Sequence, residues 1–196
     1  MSQRVRTWDG QTWMLDPGAL FLDFVYTGDF GVGPWRDGIL LTGAGLGTWL
    51  AAHLDRRLKQ PTPREAESAL DLRDSITRAA KAAAEGGQLN DVDLSVIARV
   101  ASQPDLPPVF PGHEPGERPV ANQALSSIAR DALVHLRDDR DRLRTCGGND
   151  CPIVFLDVSR GGRRTWCSMA RCGNRAKVRA HRTRNLETNY LKEHQQ

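Results

Sequence analysis

The sequence predicts a mainly α protein: an N-terminal bundle of about five helices, then a small C-terminal four-cysteine zinc finger built as a β-hairpin followed by a helix. Three observations predict it. Apolar residues recur at helical spacing in capped segments between residues 16 and 144. All four cysteines lie within residues 146–172, as two pairs. Residues 140–184 carry twelve basic against three acidic side chains, whereas 61–139 carry eight against thirteen. A chain of 196 residues accommodates one main domain plus a small module, and the shift in charge divides it into a helical body, 1–139, and the finger, 140–196.

Residues 1–15 hold Trp8 and Trp13 among polar neighbours without a clear period, and irregular structure with anchoring indoles is expected. Asp16-Pro17 opens the first helix, with Asp as N-cap and Pro at the first helical position, carrying Leu20, Phe21, Phe24 and Val25. Gly28 to Gly38 is too glycine-rich for a regular element, and no GK[ST] follows to make it a phosphate loop. Leu46, Trp49, Leu50, His53 and Leu54 mark the next helix, with His53 at its boundary. Thr62-Pro63-Arg64-Glu65 is a capping box with Pro at the first turn, and Gly86-Gly87 stops that helix. Asn90 caps a fourth helix with Leu94, Ile97, Ala98 and Ala101 inward. Residues 104–119 hold six of the eleven prolines and break the helical period, with a short hairpin expected around His113 to Gly116. A long helix from Asn122, with Leu125, Ile128, Ala132, Leu133 and Leu136 inward, is expected to run toward Arg144 and straight into the finger as a lever.

In the finger, Cys146/Cys151 and Cys167/Cys172 each enclose four residues, with fifteen between the pairs. Two short loops of this kind bring four sulfurs to one tetrahedral point, which suits zinc at about 2.3 Å per bond and leaves no open position for catalysis. Two disulfides, or a redox switch that releases the metal, use the same cysteines. The N-terminus lacks an apolar signal segment, so reduced thiols and a cytoplasmic protein are expected. Ile153 to Val158, the turn Ser159 to Gly162 and the return Arg163 to Trp166 form the expected hairpin between the cysteine pairs. Asn174 to Arg184, without Pro or Gly, reads as a helix with Arg175, Arg179 and Arg182 on one face and Lys177, His181 and Arg184 beside it. Phe155 and Trp166 are expected to supply the finger's core, and Asp157 to pair with an arginine or hold a backbone amide.

The run CGGNDCPIVFLDVSRGGRRTWCSMARCGNRAK resembles the CGNR zinc finger: a first cysteine pair, then F-x-D-x-S-R at Phe155 to Arg160, W-C-S-M at Trp166 to Met169, and C-G-N-R-x-K at Cys172 to Lys177. The resemblance implies a DNA-binding module of bacterial regulators. Its usual companion is the helical ABATE domain of stress-induced transcription regulators. LFLDFVYT, Leu20 to Thr27, resembles the opening LDFVNT signature of that domain, with Tyr26 standing where the family usually has Asn. Asp23, Tyr26 and Thr27 are therefore either structural partners within the helix or part of a small-molecule pocket.

The expected function is that of a zinc-dependent DNA-binding transcription regulator. Cys146, Cys151, Cys167 and Cys172 hold one structural zinc; Asn174, Arg175, Lys177, Arg179, Arg182 and Arg184, with Arg163 and Arg164, contact duplex DNA. The body serves as a sensor for a small-molecule effector or as a homodimerisation module. An RNA-binding or ribosome-associated module and a protein-interaction adaptor are the rival readings. No nucleophile–base pair, HExxH or paired carboxylates at a readable spacing point to an enzyme, and no apolar run reaches the length of a membrane span.

Overall fold

The computed structural model of the chain describes residues 3–6, 12–28, 42–110 and 116–193, with only the backbone given for 3–6 and 187–193. The helical body is built as expected from α1 (Leu20–Val25), α2 (Gly43–Leu54), α3 (Pro63–Ala84), α4 (Asp91–Ala101) and α5 (Ala121–Asp138). The helices α3, α4 and α5 pack on one another, and α1 lies against α5 and α3. Their apolar stripes meet in a core of Phe21, Leu22, Phe24, Leu72, Ile76, Ile97, Leu125 and Ile128.

Local chemistry sets most boundaries. Thr62 and Glu65 form the capping box of α3, Pro63 occupies its first turn, and Gly86 at φ +70° ends it. The Asn90 side chain accepts from the Val92 amide to start α4. His53 in α2 stacks on Trp49 at 4.0 Å and engages the Trp49 carbonyl at 3.0 Å, a half-buried boundary position as expected. The Gly28 to Gly38 segment beyond Gly28, and the His113 to Gly116 hairpin up to Pro115, lie outside the described residues.

Four expectations are corrected. Regular structure stands where none was expected: β1 (Gln3–Arg6) pairs antiparallel with β2 (Thr12–Leu15), and Trp13 and Leu15 alternate inward along β2, while Trp8 lies outside the described residues. Asp16 does not cap α1. Its carboxylate accepts from the Gly18 amide, and α1 starts at Leu20, with the Phe21 amide donating at 2.8 Å to Asp131 of α5. The inward face of α4 is Asp93, Ile97, Val100 and Ala101, with Ala98 exposed. Arg78 of α3 makes this rotation affordable by donating to both oxygens of the buried Asp93 carboxylate. Finally, α5 ends at Asp138 and does not run into the finger. A 3₁₀ turn, Arg140–Arg142, intervenes, and β3 (Leu143–Thr145) follows.

That strand changes the finger's hairpin. β3 pairs antiparallel with β4 (Val154–Leu156), Thr145 opposite Val154, so the first cysteine pair sits in the hairpin's own loop. Arg163 to Trp166 does not return as a strand; a single backbone bond from the Gly147 amide to the Thr165 carbonyl, 2.8 Å, ties it to that loop. The finger ends in a π-helical turn, Met169–Gly173, that runs into α6 (Asn174–Glu193), longer than the expected helix.

One apolar core runs through both parts of the chain, from Trp13 in β2 to Cys172 in the finger. β3 and β4 lie against α3, and the Leu156 amide donates to the Pro17 carbonyl at 2.8 Å. Gly18, at φ +91°, is where the chain passes β4: a Cβ there would stand 2.4 Å from the Leu156 carbonyl oxygen.

Candidate metal centre and nucleic-acid interface

Each cysteine pair is shaped by its backbone. In the first, the Cys146 amide donates to the Ile153 carbonyl and the Cys151 amide to the Gly148 carbonyl, with Asp150 in the left-handed region at φ 58°. In the second, Cys172 stands within the π-helical turn that begins just after Ser168. All four thiols are buried, and their sulfurs lie within 4.8 Å of one another. The Cys151–Cys167 and Cys167–Cys172 sulfur separations are 3.8 and 3.7 Å. Tetrahedral zinc with bonds of about 2.3 Å requires sulfurs about 3.8 Å apart. A disulfide requires about 2.05 Å, so the cysteines are not paired as disulfides.

The surroundings fit thiolates. The amides of Gly148 and Cys167 point at the Cys146 sulfur, at 3.4 and 3.3 Å. Hydrogen bonding from Cys151 and then Cys167 pushes the Cys146 thiol far below the ordinary range, and the bond to Cys146 pushes Cys151 and Cys167 above it. Four clustered sulfurs cannot all shed their protons without a cation among them, and a dication of zinc's size and softness supplies that charge. The cluster fits one structural zinc ion, with all four positions filled by protein.

Beside the cluster, Asp157 and Arg164 organise the finger. Asp157 is fully buried; one oxygen accepts from the amide and hydroxyl of Ser159 and the other from the Arg164 amide, while Arg144 Nε lies 3.8 Å away. Burial pushes its carboxyl up, and these hydrogen bonds outweigh that and hold it below the usual carboxylate range. Both expected roles of Asp157 are therefore filled. Phe155 is fully buried and Trp166 half-buried against the core.

The basic residues fall into two sets. Arg164 faces inward: its guanidinium lies 4.4 Å from the Phe155 ring centroid and donates to the carbonyls of Trp166, Cys167 and Asp16. It cements the finger to the residues before α1. Arg163 is exposed on the turn beside it. On α6, Asn174, Arg175, Lys177, Arg179, Arg182 and Arg184 are all exposed, and the Asn174 amide nitrogen donates back to the Ala170 carbonyl. Among the described side chains, Arg175, Lys177, Arg179 and Arg182 have no carboxylate within 4.0 Å. Arg175, Arg179 and Arg182 line a groove of about 500 Å³ that Thr12 and Trp13 of β2 also line. Arg171 also lines it, its guanidinium 4.1 Å from the Trp13 ring centroid. Sequence reasoning passed over Arg171 because no period connects residue 13 to residue 171.

Asp23, Tyr26 and Thr27 are buried in and just after α1. The Tyr26 hydroxyl donates to the Val154 carbonyl at 2.5 Å, and the Thr27 hydroxyl to the Phe24 carbonyl at 2.6 Å. Both hydroxyls thus act in structure, and Tyr26 reaches the finger. Burial pushes the Asp23 carboxyl up to about 6.

A helical bundle carrying a docked four-cysteine zinc module with a basic terminal helix defines the class of protein. The family model of the CGNR zinc finger matches residues 142–185, and that of ABATE, described as "Putative stress-induced transcription regulator", matches residues 18–139. The chain belongs to the ABATE family. No curated protein matches the chain. Among the described residues, no helix is long and apolar enough to cross a membrane.

Proposed function

We propose that the protein is a zinc-dependent, DNA-binding transcription regulator of the cytoplasm, in which α6 contacts duplex DNA and residues 1–139 act as sensor or dimerisation body. One observation carries the reading: α6 leaves the zinc module as an exposed helix on which Arg175, Arg179 and Arg182 have no carboxylate within 4.0 Å among the described side chains. Unpaired guanidinium groups in a row are the usual means of holding phosphates and guanine edges. Asn174 and Arg175 lie at the start of α6 next to the zinc module, Arg179 and Arg182 share the groove beside β2 with them, and Lys177 to Leu186 is exposed along its length. The protruding segment, with Arg179, Arg182 and Arg184, is thus the part with room to enter a major groove, while Arg175 and Arg163 hold flanking phosphates.

The test is titration of zinc-loaded protein onto labelled duplex DNA, including the region upstream of its own gene, over a range of salt. Arg175→Ala with Arg179→Ala is expected to abolish tight binding and to flatten the log–log salt slope by about two units. Binding that is weak, indifferent to sequence and unchanged by the double substitution overturns the reading and favours an RNA or protein partner.

A further inference from the structure

The groove between β2 and α6 has features that contact with a duplex does not require. It is a concave space of about 500 Å³, within the roughly 300–1,000 Å³ range of small-molecule sites. Four arginines line it, Arg171, Arg175, Arg179 and Arg182, and none has a carboxylate within 4.0 Å among the described side chains. Thr12 adds a hydroxyl from β2, and Val178 an apolar patch between the arginines. Arg171 is not a waving surface cation. Its guanidinium is stacked on the buried Trp13 indole, and its Nε is buried without an acceptor among the described residues. A charge held in place in this way loses little freedom on binding a ligand.

We propose that this groove binds a compact ligand carrying at least two linked phosphate groups, and that its occupancy competes with DNA for Arg175, Arg179 and Arg182. Four clustered positive charges exceed what one phosphate neutralises, and planar guanidinium forks pair with phosphate oxygens two at a time. Thr12 and Trp13 of β2 line the groove together with the arginines of α6, so a compact ligand seated there meets protein from both elements. The competition half of the proposal rests on the DNA reading above; the binding half does not.

The experiment is calorimetric titration of zinc-loaded full-length protein with inorganic pyrophosphate, ADP, AMP and orthophosphate at near-physiological salt, with zinc content measured before and after. Pyrophosphate and ADP are expected to saturate one site, at least tenfold more tightly than AMP or orthophosphate. Arg171→Gln and Arg182→Gln should each weaken that binding about tenfold, and Arg64→Gln, on the exposed start of α3, should leave it unchanged. Arg171 neighbours a zinc ligand, so Arg182→Gln, far along an exposed helix, keeps the test clean if the first variant loses metal. Saturating pyrophosphate should weaken binding to the labelled duplex at least fivefold beyond sodium chloride of equal ionic strength. Absence of saturable binding at millimolar pyrophosphate, equal affinity for AMP, or equal loss in Arg64→Gln overturns the site. If pyrophosphate binds as expected and no duplex binds at any salt, the DNA reading and the competition fall while the site stands. If the duplex binds through α6 and pyrophosphate does not, this proposal falls alone.

Discussion

The Tyr26 hydroxyl, at the end of α1, donates to the Val154 carbonyl in β4 at 2.5 Å, inside a core that the two parts of the chain share. The residue that departs from the family signature in the helical body is thus a fastener for the zinc module. With the Pro17–Leu156 backbone bond and the Arg164–Asp16 contact, it makes finger and body one packed unit. Tyr26→Phe leaves the Val154 carbonyl buried without its donor, a loss of about 1–3 kcal/mol. Denaturant unfolding of the zinc-loaded protein should show a single transition in both forms, shifted down in the variant. Two separate transitions in the wild type would refute the shared core.

Metal removal should then reach the body as well as the finger. A structural zinc in a small module contributes on the order of 10–16 kcal/mol, comparable to the whole stability of an ordinary domain. Here the cluster's cysteines are part of the continuous core. One zinc per chain is expected by elemental analysis, and Cys167→Ser should lose it. A strong chelator should lower the near-ultraviolet signal of Trp13 and Trp166 together and raise hydrogen exchange in α3, which packs on β3 and β4. Exchange confined to residues 143–173 would count against this coupling.

The finger's arginines should separate by their roles. Arg164→Ala removes three hydrogen bonds and the contact over Phe155, for a stability loss of roughly 3 kcal/mol. At a temperature where the variant is still folded, its salt slope on DNA should match that of the wild type. Arg182→Ala should do the reverse, leaving the melting temperature within a degree or two and flattening the slope by about one unit. A flattened slope for Arg164→Ala would return it to the set of DNA contacts.

Much of this architecture was legible in the chain, and the failures have physical causes. Thr62, Pro63, Glu65 and Asn90 carry their caps within a few residues, so α3 and the start of α4 follow from local chemistry. The end of α5 was hidden because Leu143 follows Leu136 by seven residues and continues the helical period through the break. That same mimicry concealed β3, leaving β4 with the wrong partner in the sequence reading. The four-cysteine spacing specified the metal centre directly, since ligand chemistry depends on the residues themselves. Arg171 and Arg164 were not assignable from the sequence. Whether an arginine faces solvent, Trp13 or Phe155 depends on how β2 and the residues before α1 fold back onto the finger.

Asp23 yields a prediction in pH. Its carboxyl is buried in α1 and pushed up to about 6 by that burial, against 3.8 for the ordinary side chain. Below about 3.8 both folded and unfolded chains hold the proton, and the residue makes no difference to stability. Between 3.8 and about 6 only the folded chain holds it, so raising the pH favours the unfolded state. Above 6 both are ionised and the full penalty remains. The stability contribution therefore falls as pH rises through this window. Asp23→Asn, neutral at every pH, should stabilise the zinc-loaded protein, and by more at pH 8 than at pH 5. About one unit of the window lies above pH 5, so the two gains should differ by about 1.4 kcal/mol. Urea unfolding at both pH values, with zinc in excess, reads this directly. An equal gain at the two would mean that the Asp23 carboxylate is solvated or paired well enough to ionise at its ordinary value.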